Sequence, residues 1–77
     1  MSFKSLEVVV LKRDLAEHNL KTGDLGTIVE VYDSGDVEVE FITANGMTKA
    51  IITLIHSDIR NVKPTDMLAV RSLQPAR

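Results

Sequence analysis

His18 and His56 are the only imidazoles in a chain without cysteine, so a metal site would need both, with carboxylates such as Glu17 or Asp58 converging on the same point. They fall in separate segments and show none of the short ligand spacings of metal-binding motifs, so both read as surface or half-buried histidines. His56-Ser57-Asp58 holds the residue types of a hydrolase triad. That chemistry needs the three groups to arrive from separate elements, and neighbours on one turn do not converge. Asp33-Ser34-Gly35-Asp36 begins like a calcium loop but lacks the spaced ligand set and the distant bidentate glutamate, and a hairpin turn accounts for each of its residues. The expectation is a protein with no catalytic residue, no cofactor and no metal.

Charge and apolar surface are more informative. The chain has 77 residues, 44% of them apolar, which suits one small folded domain rather than a disordered chain. Without cysteine it has no disulfide staple, and small unstapled domains often gain stability by self-association. No apolar run is long enough to span a membrane, and no secretory leader is recognisable, so a cytoplasmic protein is expected. Between Gly23 and Gly46 lie six acidic residues (Asp24, Glu30, Asp33, Asp36, Glu38, Glu40) and no Lys or Arg, whereas both ends are mildly basic. A phosphate backbone would be repelled by that middle segment.

The elements that carry these residues are short strands. Leu6 to Leu11 is aliphatic and β-branched, a first strand. Lys12 to Thr22 is polar and reads as a long loop with one helical turn near Asp14 to His18. Gly23 and Gly26 bracket a tight turn into a second strand, Thr27 to Tyr32. A three-residue loop, Asp33-Ser34-Gly35, needs its last residue in the left-handed region and has glycine there. It pairs Val31 with Val37 and Val29 with Val39; a slip of one residue would turn glutamate into the core. Asn45-Gly46, read as a two-residue type I′ turn, sets Phe41 opposite Ala50, Val39 opposite Ile52 and Val37 opposite Leu54. The two hairpins, each read from its own turn, agree on the inward face of the strand they share. A helical turn over residues 55–59, capped by Ser57 or Asp58, leads to a fifth strand, Ile59 to Val62, and Pro64 ends the regular structure.

The Gly23-Asp24-Leu25-Gly26-Thr27-Ile28-Val29-Glu30-Val31-Tyr32 run, with Val9-Val10-Leu11 before it and Val39-Glu40-Phe41 and Gly46 after it, resembles a small bacterial family, domain-of-unknown-function family 4926. The likeness extends from Val8 to Val62. It implies an SH3-like barrel and supplies no activity and no catalytic residues. Gly23 to Val31 also resembles the KOW-type strand-turn of ribosomal and transcription-factor barrels, without the flanking bases of an RNA-binding version.

The resulting expectation is an all-β, five-stranded SH3-like barrel over residues 1–64, with a short helical turn before the last strand and a C-terminal tail over residues 65–77. The outer face sets Glu30 opposite Glu38, with Glu40 beside them, and like charges so opposed destabilise a sheet by a few tenths to about 1 kcal/mol. Ile28, Ile42 and Ile51, with Ile55 nearby, also fall outside the valine core, and clustered exposed isoleucines point to a contact. The tail offers apolar Met67, Leu68, Val70 and Leu73 with basic Arg71 and Arg77, chemistry suited to covering that face in one subunit or across a homodimer. The expected contact surface is therefore Glu30, Glu38, Glu40, Ile42, Ile51, Met67, Leu68 and Val70, in a non-catalytic interaction or adaptor module that binds a protein or itself. Two alternatives stand beside it. One is a KOW-like nucleic-acid binder using Lys12, Arg13, Lys21 and Arg60; the other is an accessory or immunity-type protein of a mobile element.

Overall fold

In the computed structural model, which describes residues 3–73, five short runs rich in β-branched residues form strands: β1 (Val8–Leu11), β2 (Leu25–Val31), β3 (Val37–Ile42), β4 (Thr48–Leu54) and β5 (Ile59–Asn61). They make one antiparallel sheet in the order β4-β3-β2-β1-β5. One 3-10 turn, Ala16–His18, lies in the long first loop, and a second, His56–Asp58, immediately precedes β5. The fold is all-β, with the expected helical turn before the last strand. Among the described residues the sheet is not closed, and β4 and β5 are its two edges. No helix among the described residues is long and apolar enough to cross a membrane.

Cross-strand partners share a face, so the register sorts the side chains. The inner face carries Val9, Leu11, Ile28, Val37, Val39, Phe41, Leu54 and Ile59, all buried. Leu15 and Leu20 complete this core from the first loop, where their backbones bridge across the 3-10 turn. The loop is polar in composition, yet it places two leucines in the core because the bridge folds it back on itself.

Two bulges, at Val29 and Lys49, set the register of the central hairpins. In the first hairpin Val31 faces Val37 and Glu30 faces Glu38, as expected. Beyond them the bulge puts Ile28, not Val29, opposite Val39, and Thr27 opposite Glu40. Ile28, expected outside the core, is therefore fully buried, at 0% exposure, while Val29 is pushed toward solvent. Gly35 does close a three-residue loop with φ of +93°. The second hairpin corrects the expected turn. Thr43 N–H bonds Met47 C=O and Gly46 N–H bonds Thr43 C=O, each at 2.9 Å, so the loop is three residues, 44–46. Only Gly46 of the Asn-Gly pair has positive φ, +85°. The extra loop residue and the bulge at Lys49 cancel. Ile42 faces Thr48 rather than Lys49, but Phe41–Ala50, Val39–Ile52 and Val37–Leu54 stand as the sequence predicts.

Gly26 has a different role from the one its sequence position suggests. It lies inside β2, opposite Val9, and not in a turn. A Cβ there would sit 2.5 Å from Val39 Cγ1 and 2.9 Å from Phe41 Cε1. The glycine is needed because the phenylalanine ring packs directly on its backbone. Gly23, with φ of +96°, is the residue that makes the turn.

A candidate protein-contact surface

Three aspartates organise the loops and the tail by one repeated device. Asp24, Asp58 and Asp66 each donate their backbone N–H to the carbonyl of the residue three before, Lys21, Ile55 and Lys63. Each carboxylate then accepts the N–H of that same residue, at 2.8, 3.2 and 2.7 Å. The reciprocal pair resembles a helix capping box built into a single turn. Each fixed carboxylate then receives an arginine from elsewhere in the chain. Arg71 Nε and Nη2 reach Asp24 at 2.8 and 2.5 Å, Arg13 Nε reaches Asp58 at 2.8 Å, and Arg60 forks onto Asp66 at 2.8 and 3.2 Å. These are the ion pairs among the described residues.

The electrostatic consequence is the same for all three. The Arg71 hydrogen bond leads in holding the Asp24 carboxyl below the usual carboxylate range, and Arg60 does so for Asp66. Burial is the largest influence on Asp58 and pushes it up. The Arg13 hydrogen bond, the Ile55 amide and the Arg13 charge together outweigh burial and leave it lowered. Asp58 does not cap the second 3-10 turn from its start; it lies in the turn and reaches back to Ile55. Nor does it orient His56, because its oxygens are committed to Arg13 and Ile55. The triad-like tripeptide is a structural turn. Among the described residues no three His, Asp or Glu side chains gather as metal ligands. In the Asp33–Asp36 loop, Ser34 Oγ accepts the Asp36 N–H at 3.3 Å.

The tail is fixed at two points, Asp66 on Arg60 and Arg71 on Asp24, with Arg71 also bonding the Asn19 carbonyl at 3.1 Å. It runs beside the outer face and bounds an open groove of about 800 Å³, whose lining includes Val10, Leu25, Ile42, Lys49, Met67 and Leu68. Val10 is buried there although it lies on the outer face, between Leu25 and Arg60. The tail does not cover the two isoleucines within its own chain: Ile42 and Ile51 remain 57% and 54% exposed. Its Met67, Leu68 and Val70 side chains also face solvent, at 91%, 71% and 98% exposure, while Leu73 is partly buried. Arg77 lies outside the described residues.

The acidic residues stand as expected on the outer face. Glu30 lies directly opposite Glu38, and Glu38 and Glu40 accept the hydroxyls of Thr53 and Thr48 at 2.8 and 2.7 Å. The Tyr32 phenol is held above its ordinary value, by burial first and then by the charge of Glu38. Lys49 forms no ion pair among the described residues, so the glutamates rely on threonine hydroxyls rather than on a cation. Of the bases that a nucleic-acid reading needs, Arg13 and Arg60 are already tied to aspartates.

The features define a class: a small all-β domain in which three loop and tail aspartates are paired with arginines and which exposes apolar side chains on its outer face and tail. A family model described as a domain of unknown function (DUF4926) matches residues 5–61, and the chain belongs to that family. No curated protein and no solved structure matches it.

Proposed function

We propose that the domain is a non-catalytic protein-interaction module that docks a protein partner, or a second copy of itself, through the outer face of its sheet and the adjoining tail. One observation carries the reading. Ile42, Met67, Leu68 and Val70 line one groove while largely exposed, and Ile51 continues the same face on β4. Clustered apolar exposure of this kind marks contact surfaces in soluble domains. The groove is large enough for a small ligand, but its Asp24, Arg71, Arg60 and Asp66 already satisfy one another, which leaves few polar groups to orient one. The strand order and the 3-10 turn before β5 support an SH3-like reading of the sheet, and the cysteine-free composition suits a cytoplasmic setting.

The test is affinity capture with the tagged chain, run beside Ile42→Asp and Leu68→Asp variants that melt like the parent. The captured protein, or the untagged second copy, is expected to be lost with both variants. Equal capture by all three chains would place the contact elsewhere.

A further inference from the structure

We infer that β4 is a homodimer edge: two copies pair β4 with β4 antiparallel about a twofold axis through Ile51, joining the two sheets into one. The inference rests on the protein-contact reading above and gives it a specific occupant. β4 is a seven-residue strand at the sheet's edge, whereas the opposite edge, β5, has three residues. Natural edge strands avoid chance pairing by being short, by carrying lysine, proline or inward-pointing charge, or by bulging. β4 has no proline, and its lysine and its bulge coincide at Lys49 beside the turn, so Ala50 to Leu54 carries none of these devices. The strand therefore offers unpaired backbone groups along most of its length.

The register follows from symmetry and charge. An axis through Ile51, the middle of Thr48–Leu54, sets Ile51 against Ile51, Ala50 against Ile52 and Lys49 against Thr53. The half-exposed isoleucine gains an apolar neighbour, the partly buried Ala50 and Ile52 are covered at their open side, and no two like charges meet. Lys49 of the second copy lands beside Thr53, whose hydroxyl bonds Glu38, which faces Glu30. Strands about 4.8 Å apart place that lysine about 10 Å from Glu38 between backbones, within the joint reach of the two side chains. The row across the dimer then reads Glu30, Glu38, Thr53, Lys49, and the acidic column, which has no ion pair among the described residues of the single chain, acquires a cation from the second copy. An unrelated extended peptide would satisfy the β4 backbone equally well, but only the second copy brings a base to that position by symmetry alone.

Sedimentation velocity over a dilution series tests this with Lys49→Glu, Glu38→Lys, their equimolar mixture and Ile51→Asp, all at exposed or half-exposed outer positions. The parent is expected to dissociate on dilution, each single charge reversal to weaken the dimer about tenfold or more, and Ile51→Asp to abolish it by opposing two carboxylates on the axis. Mixing the two charge-reversed chains is expected to restore the dimer, because each glutamate then faces a lysine in the other copy. A parent that stays monomeric into the range of about 1 mM overturns the inference and leaves the capture experiment untouched. A dimer indifferent to the β4 variants but lost with Leu68→Asp overturns it in favour of the tail.

Discussion

Gly26 is the position where one added methyl group meets the most resistance. Alanine there needs Val39 Cγ1, 2.5 Å away, and the Phe41 ring edge at 2.9 Å to move, and both lie in the buried core. Gly26→Ala is expected to cost about 1–3 kcal/mol by overpacking, and Phe41→Ala about 3–5 kcal/mol by the cavity it leaves. Urea titration measures both, and a neutral Phe41→Ala would contradict the register of the central hairpins. The aspartates give a second expectation at this scale. Asp24, Asp58 and Asp66 titrate below the ordinary value of about 3.9 in the folded chain, so the unfolded chain binds protons first as pH falls. Their stabilisation is complete above that value and disappears as pH drops through the lowered folded values. Melting temperature should therefore hold between about pH 7 and 5 and fall below about pH 4. A decline already under way between pH 7 and 5 would contradict an origin in these three carboxylates.

At the scale of elements, each hairpin depends on a glycine that finishes a three-residue loop, Gly35 at +93° and Gly46 at +85°. Gly35→Val forces a β-branched residue into the left-handed region and is expected to cost at least about 1–2 kcal/mol in the same titration. A neutral result would mean that the loop has another conformation. The paired valines, the inward Phe41 and the Glu30–Glu38 opposition are legible in the sequence because polar residues alternate with them, so only one register keeps charge out of the core. The bulge at Val29 is not legible, because Ile28 and Val29 are both β-branched and either suits the inner face. The second turn is ambiguous for a local reason. Asn45 Oδ1 accepts the Thr43 hydroxyl at 2.5 Å and the Met47 amide at 3.3 Å, so the asparagine serves as a turn acceptor rather than as a left-handed residue. Two of the three ion pairs are not legible because Arg13 and Arg71 lie 45 and 47 residues from Asp58 and Asp24, whereas Arg60 is six from Asp66; an aspartate three residues after the amide it accepts is a spacing that sequence does display.

At the scale of the whole molecule, the sheet and the tail are held together by two arginine clasps and little apolar burial. Asp24→Ala is expected to release the tail at Arg71 at a cost of about 1 kcal/mol, since the pair is only partly shielded from water. Comparing its urea midpoint with that of a chain lacking residues 65–77 shows whether the clasp accounts for the tail's whole contribution. The acidic middle strands and the commitment of Arg13 and Arg60 to aspartates lead to a further expectation, no appreciable binding of mixed RNA or DNA at physiological salt. Tight, salt-sensitive retardation in a gel would contradict it. The measurement that bears most directly on the contact surface is residue-resolved amide exchange at high and low protein concentration. Amides of β4 and the outer face around Ile51 should exchange more slowly in the concentrated sample while the rest of the sheet is unchanged. Identical exchange of β4 at both concentrations, with fast exchange along its free edge, would contradict self-association through this face.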